Sequence, residues 1–353
     1  MLRSLRCLAF CLALGSFVAY AAEDIAYDAA TADSELMPQA QHALFTDITK
    51  TGGGAVAVGE RGHVFLSTDL KQWTQVKVPT RTLLTTVFAI DAEIWAAGHD
   101  GVILHSADGG QTWARQRFDP DGEGPILDLL FLDPKIGFAI GAYGQFLSTE
   151  NGGDTWEKQL ISDRLVASDA TSQTVDNEAV DAGDGEDLQG VASDDMGEDE
   201  GDPHLNAIAK VGAVLLIVGE AGKGYRSGDN GKTWSALRLP YEGSMFGLLA
   251  LDDGSALAFG LRGNVLLSSD QGASWQALNS GTEQSLMGGA AVAGARAVLV
   301  GASGALALRP AGEQGLRVFT FPDGGILSGV LPEPDEKGFV VVGENGILHF
   351  TPN

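Results

Sequence analysis

Four octets place a carboxylate or carboxamide between hydroxyl-bearing residues: SADGGQTW from residue 106, TENGGDTW from 149, SGDNGKTW from 227 and SSDQGASW from 268. Asp108, Asn151, Asp229 and Asp270 hold the central position, and Trp113, Trp156, Trp234 and Trp275 close each octet. Clustered side-chain oxygens can hold a cation or accept bonds from nearby backbone N–H groups. A calcium loop of the EF-hand type needs regularly spaced carboxylates and a closing Glu, and the octets have neither. Short oxygen-bearing side chains suit Asx turns instead. Gly110, Gly153, Gly231 and Gly272 supply the positive φ that a tight hairpin needs. The octets are therefore expected to hold hairpins rather than to do chemistry.

Other reactive residues show no catalytic spacing. The six histidines (His42, His63, His99, His105, His204, His349) form no HExxH or H-x-H pair, so neither a metal nor another cofactor is expected. TGGGAV near Gly52 lacks Gly-Lys-Ser/Thr and reads as a hairpin turn, not a phosphate loop. No G-x-S-x-G elbow with a plausible triad is present.

The elements that carry these residues repeat. An aliphatic run ends in Gly-x-x-Gly and is followed by a second apolar run, as in AVAVGERGHVFLS, IWAAGHDGVILHS and FVVVGENGILHF. The first glycines are Gly59, Gly98, Gly141, Gly219, Gly260, Gly301 and Gly343, so the steps are 39, 43, 78, 41, 41 and 42 residues. Each unit offers four short strand-like runs, for example LLTTVFAI, EIWAAG, GVILHS and WARQRF. Four strands per roughly 41 residues is the signature of a propeller blade. The fold expected is all-β: a seven-bladed β-propeller with four antiparallel strands per blade and an acidic, disordered insertion. The seventh unit stops one strand short, and SELMPQA (34–40) is expected to supply its outermost strand. Unit one has a shortened octet, STDLKQW, and unit six has lost it (RPAGEQG).

The chain has 353 residues and a net charge of −25. That balance argues against nucleic-acid binding. Arg3 and Arg6, an apolar run and Ala19-Tyr20-Ala21 have the layout of a secretory signal. Residues 1–21 are read as that signal and 22–353 as one propeller domain, periplasmic or secreted and not membrane-spanning once the signal is cleaved. Cys7 and Cys11, the two cysteines, lie in the signal, so the mature chain has no thiol.

The octets resemble the Asp-box, or BNR, repeat, S-x-D-x-G-x-T-W. Alternating with a V-G-x-x-G run, they resemble the photosystem II stability/assembly factor family over residues 42–350, here in a non-photosynthetic bacterial form. That resemblance implies an exported, non-enzymatic assembly factor lying against a membrane protein. For a non-photosynthetic host it implies an envelope complex, with an RND-type transporter as a proposed link. In a photosynthetic host it implies a thylakoid-lumenal photosystem II assembly factor. The family's plant and cyanobacterial members carry an arginine patch on one face, whereas the matching face here is mixed and acidic. Sialidases share Asp boxes, but no FRIP-like segment and no third arginine beside Arg61 and Arg262 is found, so a glycan-binding or glycan-cleaving propeller is the catalytic alternative.

The long step comes from residues 163–203, where residues 163–202 hold 14 carboxylates and one base, Arg164. Such a segment buries too little apolar surface to order itself. It joins unit three to unit four on the face of the Gly-x-x-Gly turns. The expected partner-binding face is formed there by Glu60, Arg61, His99, Asp100, Tyr143, Glu220, Arg262, Glu344 and Asn345. The chain is expected to act as a monomeric binding scaffold for an envelope membrane protein.

Overall fold

The computed structural model describes residues 30–352, apart from 123, 167–200, 295 and 335–336. Residues 1–21, expected above to be a signal, and most of the acidic insertion thus lie outside the described residues. Seven antiparallel sheets follow one another along the chain. Blade one is β1 (Phe45–Thr51), β2 (Gly54–Gly59), β3 (Val64–Ser67) and β4 (Thr74–Val76). Blade two is β5 (Leu84–Ile90), β6 (Glu93–Gly98), β7 (Ile103–Ser106) and β8 (Ala114–Arg117). Blade three is β9 (Ile126–Phe131), β10 (Gly137–Gly141), β11 (Gln145–Thr149) and β12 (Glu157–Leu160). Blade four is β13 (Leu205–Val211), β14 (Val214–Gly219), β15 (Lys223–Ser227) and β16 (Ser235–Arg238). Blade five is β17 (Met245–Ala250), β18 (Ala256–Gly260), β19 (Val265–Ser268) and β20 (Gln276–Leu278). Blade six is β21 (Leu286–Val292), β22 (Arg296–Gly301), β23 (Ala305–Arg309) and β24 (Arg317–Thr320). Blade seven has β25 (Leu327–Pro332), β26 (Phe339–Gly343) and β27 (Gly346–Phe350).

The first strand of each blade packs against the first strand of the next, and β25 packs against β1, so the ring closes. Polar side chains fasten several of these seams. Thr46 Oγ1 donates to the Leu84 carbonyl at 2.6 Å, Asn206 Nδ2 to Met245 at 2.9 Å and Ser328 Oγ to Phe45 at 2.7 Å. Seven apolar clusters fill the seven boundaries between blades. Second strands lie between neighbouring blades on both faces, which is why AVAV, LLIV and FVVV read as unbroken apolar runs.

The repeating glycine has a steric cause. A Cβ on Gly59 would fall on the Leu44 carbonyl oxygen, and one on Gly301 on that of Ser285. The same holds at Gly98, Gly141, Gly219, Gly260 and Gly343, each against the residue just before its blade's first strand. The end of the second strand thus approaches the start of the first too closely for any side chain.

Two features differ from the sequence expectation. Blade seven has three strands, and residues 34–40 do not complete it. Ser34 instead exchanges bonds with Val78 just beyond β4 (N–H to carbonyl 2.8 Å, and Val78 N–H to Ser34 Oγ 2.9 Å). Arg81 holds the same segment through the Asp33 carbonyl and Glu35. The N-terminal segment therefore braces blade one. Secondly, the insertion's described ends are built into the ring. After the 3-10 turn Ile161–Arg164, the Trp234 N–H donates to the Arg164 carbonyl and the Val166 N–H to the Trp234 carbonyl, so the chain runs beside blade four's outer strand.

Candidate functional site

The octet turns lie on one face. In each, the hydroxyl at the first position donates to the Asp or Asn, which in turn accepts from the residue four further on. Ser106 Oγ reaches Asp108 at 2.8 Å, and Asp108 accepts from the Thr112 N–H at 2.9 Å and its hydroxyl at 2.6 Å. Asp229 and Asp270 repeat this pattern with Thr233 and Ser274. Asn151 does so by donating Nδ2 to Thr155 Oγ1 at 2.9 Å and accepting the Thr155 N–H at Oδ1. The Gly110 carbonyl accepts from Trp113 Nε1 at 2.8 Å, and that of Gly231 from Trp234 Nε1 at 3.2 Å. Trp234 is fully buried, while Trp113, Trp156 and Trp275 are half-buried. The Thr112 hydroxyl and N–H, then Ser106, pull the Asp108 carboxyl down to about 2. The first-position hydroxyl and the central Asp or Asn of each octet are thus committed to their own hairpin.

The opposite face carries the Gly-x-x-Gly turns. Their central residues Arg61, Asp100, Tyr143 and Arg262 adopt left-handed φ of 53–56° and are exposed. His99, Glu344 and Asn345 are exposed beside them, and Glu60 and Glu220 are half-buried. The carboxylates are not free. The Leu44 N–H donates to Glu60 (3.4 Å), the His204 N–H to Glu220 (3.0 Å) and the Ile326 N–H to Glu344 (3.2 Å). Each pins the residue before its blade's first strand. Asp100 accepts the Thr82 hydroxyl at 2.8 Å. The side chains left to meet a partner are Arg61, His99, Tyr143, Arg262 and Asn345. Tyr143 stands 56% exposed, edge-on to His204 at 4.7 Å, where the insertion re-enters the ring. Among the described residues, no group of three or more His, Cys, Asp or Glu is placed to hold a metal ion.

Between the faces runs an axial channel with a cavity of about 180 Å³, lined by first-strand residues of all seven blades. It holds two carboxylates that sequence reasoning missed. The Val87 N–H of blade two donates to Asp47 Oδ2 (2.8 Å), and the Ile48 N–H to Asp47 Oδ1 (2.7 Å). The Ile208 N–H of blade four donates to Asp128 Oδ2 (2.8 Å), and the Leu129 N–H to its Oδ1 (2.8 Å). The Thr86 hydroxyl adds a 3.2 Å bond to Asp128 Oδ1. Each Asp therefore latches its blade to the next. Burial pushes Asp47 up to about 6 and Asp128 up to about 7, the latter also raised by the charge of Asp47. Both side chains keep some surface on the channel, which tempers the size of these shifts but not their sign. The available signal was one acid within an otherwise apolar first strand, in TDIT and LDLL.

The family model described as "Photosynthesis system II assembly factor YCF48" matches residues 39–146, from the approach to blade one through the Tyr143 turn of blade three. A photosystem II assembly lipoprotein Ycf48 of Synechocystis is 36% identical over 92 residues, 24% of this chain and 27% of the relative. The chloroplastic photosystem II stability/assembly factor HCF136 of Arabidopsis thaliana is 27% identical over 103 residues, 28% of this chain and 26% of the relative. The matches thus span about a quarter of these relatives' length. Among solved structures, YCF48 bound to D1 peptide superposes with a TM-score of 0.62 at 15% identity, covering 90% of this chain and 96% of that one. YCF48 from Cyanidioschyzon merolae gives 0.61 at 15%, covering 91% and 99%. The WD40 propeller of Doa1 also gives 0.61, at 13% identity, covering 91% and 95%, so these superpositions report the fold and the sequence matches report the kinship. The chain is a seven-bladed β-propeller that resembles the photosystem II assembly factors of the Ycf48 and HCF136 type.

Proposed function

We propose that this chain is an exported, non-enzymatic assembly factor that grips a segment of a membrane protein with its Gly-x-x-Gly face. The observation that carries the reading is the family match over residues 39–146, which contains the turns of Arg61, Asp100 and Tyr143. The relatives named above are photosystem II assembly proteins, which supports a photosystem partner over the transporter link. Five side chains on this face remain free of intramolecular pins, and a mix of Arg, His, Tyr and Asn suits a polar peptide better than a lipid surface. The glycosidase alternative is weakened at the axis. The cavity is lined by Asp47 and Asp128 and by no arginine, and buried acids repel the substrate carboxylate that a sialidase must hold.

The test is site-specific photo-crosslinking in the native host. A crosslinker replacing Arg61 or Tyr143 is expected to capture one integral membrane protein of the photosystem II assembly line, whereas one at Gln111 on the octet face is not. Capture of a transporter subunit, or equal capture from both faces, contradicts the reading. Turnover of a fluorogenic sialoside would remove its non-enzymatic part.

A further inference from the structure

The boundaries between blades are built alike, with one exception. In six of them a large apolar residue sits immediately before a fourth strand and packs into the boundary cluster: Trp73, Trp113, Trp156, Trp234, Trp275 and, where the octet is lost, Leu316. The seventh cluster, between blades six and seven, receives no such residue, because blade seven has no fourth strand among the described residues. Leu308, Phe319, Leu348 and Phe350 remain only partly buried around that position.

The backbone beside this notch is open as well. Among the described residues β27 pairs with β26 and with no other strand. In blade six the third strand pairs outward, Leu306 with Phe319 and Leu308 with Arg317. By the pairing register with the second strand, the corresponding residues of β27 are Ile347 and His349, whose backbone groups face outward, while those of Leu348 and Phe350 face β26. Unpaired strand edges template the addition of another strand. The 3-10 turn Ala40–His42 packs at the Gly346 end of β27, but the described segment before it leads away toward blade two, where the Ala30 carbonyl accepts from Arg115 at 2.9 Å.

We propose that the outer edge of β27, with the notch beside it, docks an extended segment of a partner protein as blade seven's fourth strand. The six existing copies specify the occupant. It runs antiparallel to β27, pairs over about four residues, and carries a large apolar side chain, best an aromatic one, directly before the paired stretch. Main-chain bonds supply binding and the aromatic sets the register. This site lies on the ring's rim and does not depend on the Gly-x-x-Gly face.

The probe is a synthetic peptide with the sequence of residues 233–239, TWSALRL, titrated into the full chain by fluorescence anisotropy. Saturable binding is expected, weakened roughly tenfold or more when the peptide's Trp is replaced by Ala, as for a buried aromatic anchor. His349→Pro removes an outward N–H at an edge position where proline is tolerated and is expected to abolish binding while leaving the melting temperature nearly unchanged, since the His349–Glu333 pair it also removes is exposed. In a second variant, a copy of residues 228–239 replaces Thr351, Pro352 and Asn353. It fills the slot in cis, so it should melt higher than the parent and no longer bind the peptide. The proposal is overturned if the peptide does not bind, if the extended variant binds it equally well, or if the parent forms a dimer that His349→Pro dissolves. That last result would give the edge to a second copy of this chain.

Discussion

The octet turns and the axial channel both use aspartate, in opposite settings. On the rim, Asp108 lies in solvent and takes three bonds from Thr112 and Ser106, so its ionised form is favoured and its pKa falls to about 2. At the axis, Asp47 and Asp128 also take two or three bonds each, yet burial outweighs them and their pKa values rise to about 6 and about 7. Hydrogen-bond counts are similar; desolvation decides the sign. A rim carboxylate thus stabilises a hairpin as an anion, whereas an axial one accepts its latching bonds against the cost of desolvating its charge, so folding favours its protonated form.

That contrast can be sharpened by mutation. Trp234→Ala should have the largest effect, about 3–5 kcal/mol by chemical denaturation, because Trp234 is the octet indole that is fully buried, packed edge-on against Phe146 in the cluster between blades three and four. Trp113→Ala, at a half-buried site, should cost clearly less. Next, Asp128→Ala leaves the buried N–H groups of Ile208 and Leu129 without an acceptor and should cost on the order of 1–3 kcal/mol.

The pH dependence follows from the signs. The folded axial acids keep their protons between about pH 4 and 7, where unfolded ones have lost them. Their contribution therefore declines as pH rises through that window. Raising pH from 5 to 8 should cost on the order of 1–3 kcal/mol through these two groups, after discounting for channel exposure. In the Asp47→Asn/Asp128→Asn double variant that slope should vanish, whatever its absolute stability. Rim acids act the other way: their contribution is present above about pH 4 and is lost as pH falls toward 2. The smallest effect is expected for Asp108→Asn. Blade three already uses Asn151 with the same bonds, so the unfolding midpoint at pH 7 should hold while the acid-side loss from this turn disappears.

Much of the ring was legible because its rules are local. The first glycine of each repeat is fixed by a carbonyl in its own blade, and each octet closes on itself within seven residues, so both leave a periodic trace. What escaped reading depends on contacts between blades. The N–H that meets Asp128 comes from Ile208, 80 residues away, and nothing near LDLL announces it. Leu316 stands in for a tryptophan with no octet around it, and only its place before β24 reveals the equivalence. The face residues show the same limit. Glu60, Glu220 and Glu344 looked available from their turn positions, but each reaches back to a backbone N–H 16 to 18 residues away.

The central claim is that ring closure, and not residue type, assigns these carboxylates their roles. Site-resolved NMR titration of Asp47, Asp128 and Asp108 in the intact chain tests it most directly. The expected result is midpoints near 6 and 7 at the axis and near 2 on the rim; three midpoints clustered near 4 would mean that the channel is open to water and the latches are not formed.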